Sequence, residues 1–177
     1  RGPSAKVLEA RAAAAPAPHP ARLAPEGEAE AMLVRRGFVT TQGEMLTPFP
    51  ADFGGEAAEA LSRRLSHYAF RLFLRGALQN GPEFDAHDAT RYLSESKGRE
   101  HAAFLEAIGL AEPIGGSRYR LRHPVRSFGS TLEWWVAREL RGRLGFDVAV
   151  NRKFGAPGVG GDLDVIAAAE GKLVQIE

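Results

Sequence analysis

The stretch Gly160-Gly161-Asp162-Leu163-Asp164-Val165-Ile166, followed by Ala-Ala-Ala-Glu-Gly and then Lys172-Leu173-Val174-Gln175-Ile176-Glu177, reads as two short strands around a tight turn. With Glu170-Gly171 as a two-residue loop, Asp164 faces Glu177 across the pair. Directly opposed residues on antiparallel strands have Cβ atoms roughly 4.5–5.5 Å apart, and like charges there are destabilising unless a cation lies between them. The expectation is a metal-binding hairpin. A three-residue loop would offset the two acids while keeping them at the same end of the hairpin.

Upstream, apolar residues at Leu132, Trp135, Val136, Leu140 and Leu144 mark one stripe of a helix from Ser130 to Leu144, closed by Gly145. Phe146 to Asn151 alternates with period two as a strand, and the glycine-rich run Gly155 to Gly161 reads as the loop connecting it to the acidic hairpin. Gly160 and Gly161, lacking side chains, would let a substrate backbone come close. Glu133, in the first turn of the helix, adds a third acid. Hard carboxylate oxygens suit magnesium or manganese. An ion so held polarises a phosphate oxygen and acidifies the attacking water. Asp162 reads as a capping or loop-facing residue, Glu139 as a solvated partner of Arg138 and Arg141, and Trp134 and Trp135 as core and interface residues.

Residues 56–78 carry the spacing of a long helix, Asp85 or Asp88 can cap a second helix to about Ser94, and Ser96 can cap a third from Lys97 to Ile108, stopped by Gly109. Gly115-Gly116-Ser117 then separates two short strands. Three helices and a hairpin follow the order of a winged helix. In that arrangement Lys97, Arg99 and His101 on the third helix and Arg118, Arg120 and Arg122 on the wing are candidate nucleic-acid contacts. Arg152 and Lys153, at the end of the later strand, could receive a phosphate backbone. Glu95, Glu100 and Glu106 interrupt the basic face, so a spacer or dimerisation surface is the alternative. Residues 28–55 read as a connecting segment, a helix to Arg36 and a hairpin of 37–40 with 44–47, and residues 1–27 as a tail with an Ala/Pro-rich linker.

Composition narrows the chemistry. The 177 residues include no cysteine, which removes disulfides, thiolate nucleophiles and cysteine-ligated zinc, and the five histidines lack ligand spacing, so carboxylates are left to hold any metal. The net charge is +1, yet Lys and Arg outnumber Asp and Glu between Arg118 and Lys153. No run approaches about 18 apolar residues and no signal peptide begins the chain, so the expectation is a cytoplasmic protein without a membrane partner. A first residue other than Met and a last residue within a strand suggest a piece of a longer protein.

Gly161-Asp162-Leu163-Asp164-Val165, followed by an apolar strand ending Val174-Gln175-Ile176-Glu177, resembles the PD-(D/E)xK nuclease superfamily. Gly129-Ser130-Thr131-Leu132-Glu133 is similar to the element in which such enzymes present a further metal-ligating glutamate. The resemblance covers residues 125–177 and implies catalytic, metal-ligating roles for Glu133, Asp164 and Glu177 with Mg2+ or Mn2+. The motif lysine would stand two residues past Glu177, where the sequence stops. With a winged helix at 56–124 in front, the chain resembles the CRISPR-ancillary nucleases whose upstream CARF domain senses cyclic oligoadenylate. The implied fold is α+β or α/β, a winged-helix domain followed by the start of a restriction-endonuclease-like core. The implied activity is metal-dependent endonuclease cleavage of nucleic acid, DNA ahead of RNA, in antiviral defence, with a homodimer plausible. The alternatives are a winged-helix DNA-binding regulator without catalysis and a Mrr- or Holliday-junction-resolvase-like endonuclease.

Overall fold

A computed structural model describes residues 26–43, 49–123 and 127–177. In chain order its elements are α1 (Glu28–Arg35), β1 (Val39–Gln42), α2 (Gly55–Leu65), α3 (Tyr68–Gln79), β2 (Glu83–Asp85), α4 (Glu95–Ala107), β3 (Ala111–Gly115), β4 (Arg118–Leu121), α5 (Gly129–Leu144), β5 (Asp147–Ala156), β6 (Val159–Ala169) and β7 (Lys172–Ile176). Every strand pairing is antiparallel, so the class is α+β and the α/β alternative falls away. The expected tail to residue 25 and the strand 44–47 lie outside the described residues.

The C-terminal hairpin has the register read from the sequence. Ala169 pairs with Lys172 and Val165 with Ile176, around Glu170 and Gly171 at φ 49° and 73°. Positive φ at both central residues is the twist-matched turn for a two-residue hairpin. The glycine-rich run before it is strand rather than loop. β5 and β6 pair out to Ala156 and Val159, leaving only Pro157-Gly158 as the turn, with Gly158 at φ 82°. Gly161 is where a Cβ would press on the Phe154 ring at 3.2 Å, so this glycine accommodates a neighbouring strand rather than a substrate.

β1 pairs with β5 and, among the described residues, is the edge of a four-stranded sheet of order β1-β5-β6-β7. α1 covers one face of this sheet through Ala29, Met32 and Leu33, packed with Ala149, Leu163, Ile166 and Ala168. Its first turn is held by β5, whose Asp147 Oδ2 accepts from the Ala29 amide at 2.7 Å. Residues 28–43 are therefore part of the C-terminal layer and not a connecting module. α5 covers the other face, with Ala137, Val136 and Leu140 against Val148, Val165 and Ala167.

The remaining elements build a second unit, α2, α3 and α4 around a three-stranded sheet of order β2-β4-β3, with Leu61, Leu65, Phe70, Phe73 and Leu105 fully buried. The expected single helix over 56–78 is two. Ser66 and His67 interrupt it, His67 taking an extended conformation, and the Arg71 Nη1 donates to the carbonyls of Leu65 and Ser66 at 2.6 and 3.2 Å. The expected helix from Asp85 to Ser94 is a run of turns. Asp85 Oδ1 accepts from the His87 amide at 2.8 Å, a local bond that competes with helix formation. The turn is gripped by two helices: a Cβ on Gly76 of α3 would lie 1.6 Å from the Ala89 carbonyl oxygen, and one on Gly98 of α4 2.0 Å from that of Ala86. Trp134 and Trp135 of α5 pack against this unit, as core and interface residues do, so α5 belongs to both layers.

Candidate metal centre

Glu133 lies three and four residues before Val136 and Ala137, which face the sheet, and helical spacing puts it on the same side of α5. Burial, and next the negative charge of Asp164, raise its carboxyl above the ordinary value. The fold has thus brought an acid from α5 and an acid from β6 within electrostatic reach.

Asp164 reaches that side because the strands break step. On β6, Val165 and Ala167 pack toward α5 and Ile166 and Ala168 toward α1, yet Leu163 also packs toward α1. On β5, Val150 serves the α5 side and Ala149 the α1 side, yet Arg152 reaches Glu30 of α1. A regular pleat alternates faces, so one irregular step is required. Asn151, at φ 49°, supplies it. Val150 pairs with Val165 and Arg152 with Leu163, which sets Asn151 across from Asp164. The sequence reading passed over Asn151. Its signal was an asparagine, a residue tolerant of left-handed backbone, ending an apolar alternating run. Gly43 is fitted to it: a Cβ there would fall 2.4 Å from Asn151 Oδ1.

Glu177 is next in register to Ile176 and so opposite Asp164 along the backbone, as expected. Its side chain is elsewhere, accepting a hydrogen bond from Gln175 Nε2. The alternation of β7 is intact where that of β6 is broken, so opposed backbones do not deliver opposed carboxylates. Among the described residues no three His, Asp or Glu side chains stand close enough together to hold a metal ion.

The expected phosphate contacts divide. Arg152 is a correction: it is buried, its Nε bonded to Glu30 and its Nη2 to Glu26 at 2.9 Å, on the α1 face and closed to a ligand. Lys153 is exposed, paired across the ladder with Asp162, which is exposed too. Arg118 and Arg120 bridge Glu83 at 2.7 and 2.8 Å, and Arg122 approaches Glu112 at 3.8 Å. Lys97 and Arg64 share Glu100, whose carboxyl these two hydrogen bonds pull down to about 2. Arg99 is exposed. His101 is not a surface contact: it is buried between the rings of Phe70 and Phe73, and burial, with the charge of Arg64, lowers its pKa to about 4. Glu139 takes Ser62 and Arg143 as partners in place of Arg138 and Arg141.

The fold and site define an α+β protein with two carboxylates drawn together between a helix and a broken-step strand. No family model matches the chain, and no curated protein matches it. The chain is similar to the crystal structure of protein VC1899 from Vibrio cholerae, at 14% identity, with 84% of this chain and 42% of that chain covered and a TM-score of 0.44. It thus spans less than half the length of that protein. Among the described residues no helix is long and apolar enough to cross a membrane.

Proposed function

We propose that the chain carries the acidic site of a metal-dependent nuclease of the PD-(D/E)xK kind, with the α2–β4 unit in the place of a winged helix and an upstream sensor of cyclic oligoadenylate controlling it in antiviral defence. The single observation that carries this reading is the meeting of two oxygen donors from separate elements, Glu133 of α5 and Asp164 of β6, with the Glu133 carboxyl raised by its burial and next by the charge of Asp164. Glu133 and Asp164 would hold Mg2+ or Mn2+, while Glu177, on the other face of β7, stays outside this pair. When bound, such an ion would activate water toward a phosphodiester. In this reading the step at Asn151 orients Asp164 toward the partly buried Glu133. Strand alternation alone would have turned Asp164 away.

The test is manganese-dependent cleavage of plasmid and single-stranded DNA by the protein and by its Asp164→Ala variant, with cyclic oligoadenylate present and absent. Cleavage abolished by the substitution is the expected result. Equal cutting by both proteins, or none by either under any condition, defeats the reading.

A further inference from the structure

The wing and α4 are the expected binding face of the helical unit, but their candidate cations other than Arg99 are already paired with carboxylates. Glu83 takes Arg118 and Arg120, Glu112 takes Arg120 and Arg122, and Glu100 takes Lys97. A different face is open. A cleft of about 580 Å³ lies between α3 and the start of α5, lined by Tyr68, Arg71, Arg75, Ser127, Phe128 and Gly129 among others. Neither Arg71 nor Arg75 forms an ion pair with a carboxylate of the described residues. Arg71 is fixed in place, with Nη1 on the two carbonyls that end α2 and its guanidinium over the rings of Tyr68 and Trp135 at 5.6 and 5.5 Å. Its planar fork has five N–H donors, so most are left for another acceptor. Arg75, one turn on, is exposed at the same wall. Its other wall includes Gly129, close to one of the two acids, since a Cβ there would lie 3.7 Å from Glu133 Oε1.

We infer that this cleft is the subsite for a backbone phosphate of the nucleic acid, one that flanks the bond presented to Glu133 and Asp164, and that Arg75 and Arg71 bind it. The inference rests on the nuclease reading and deepens it: the helical unit contributes to substrate binding through α3, not through α4 and the wing. Two arginines without acidic partners among the described residues, one of them held in place, line the cleft, and the arginine fork is suited to a phosphate. Arg75 is a binding residue here and takes no part in the chemistry.

The experiment measures binding of a fluorescein-labelled DNA oligonucleotide by anisotropy in the Asp164→Ala background, where no cutting confuses the readout. Arg75→Gln should weaken binding about tenfold at low salt and lower the slope of log K against log salt by about 0.7–0.9, the loss of one phosphate contact. Arg75→Lys should restore most of the slope, and Arg120→Gln should change affinity less than twofold. If Arg75→Gln binds like its parent, or the wing substitution is the one that weakens binding, the inference is overturned. It is overturned also if the parent does not bind. Failure of wild-type cleavage, measured separately, defeats the nuclease reading, so the two failures are told apart.

Discussion

Asn151 stands across the β5–β6 ladder from Asp164, and its left-handed backbone is the step at which both strands change face. Any residue with a Cβ other than Asn or Asp is strained there by about 1–2 kcal/mol. Asn151→Gly should therefore keep the fold near its original stability. Asn151→Val should cost about 1–2 kcal/mol in urea unfolding and lose cleavage beyond what that destabilisation explains. Equal stability of the two variants would remove Asn151 from this role.

Glu133 is held with a raised carboxyl, so the folded chain binds its proton more tightly than the unfolded one. The stability attached to that proton is fully present below the ordinary glutamate value and is lost as pH rises through the raised one. In EDTA at pH 7, Glu133→Gln should raise Tm. The gain should shrink toward zero near pH 4. A gain that is independent of pH would contradict the raised carboxyl.

His101 behaves in the opposite sense. Its folded pKa is about 4 against an ordinary 6.5, so its contribution is intact above 6.5 and is lost as pH falls from there toward 4, where the unfolded chain binds the proton first. The urea midpoint should fall across that window, and His101→Gln should flatten the fall. An unchanged profile in the variant would place the pH dependence elsewhere.

Arg152 and Glu30 are both buried and pair across the α1–β5 interface. Removing the arginine strands the buried Glu30 carboxylate, so Arg152→Ala should cost about 3–5 kcal/mol, while Glu30→Met with Arg152→Met should cost much less. Denaturant titration of the single and double variants measures the difference. Additive losses would mean that the two side chains act independently.

Gly98 of α4 has no room for a methyl group against the Ala86 carbonyl. Gly98→Ala should destabilise by about 1–3 kcal/mol through overpacking, although alanine favours helix. A stabilised variant would show that the turn at 86–93 can move away.

What the sequence made legible was local. The hairpin register followed from Glu170-Gly171, the end of α5 from Gly145 at φ 67°, and the β3–β4 turn from Gly115-Gly116, because each is decided within a few residues. The pairing of β1 with β5 and the packing of α1 on the same sheet join segments over a hundred residues apart, and no nearby residue announces them. Arg152 looked like a free cation because its partners, Glu26 and Glu30, are equally remote. The break at Ser66 was hidden because the apolar spacing runs through it unchanged. Of the site, the identities of Glu133 and Asp164 were readable, whereas the step that turns Asp164 toward α5 depends on two strands together.

α5 presses Ala137 on the sheet and Trp134 and Trp135 on the helical unit, and it carries Glu133 near its start. Such a rod works as a common axle. The spacing of Glu133 and Asp164 is therefore tied to how the two halves are seated on one another.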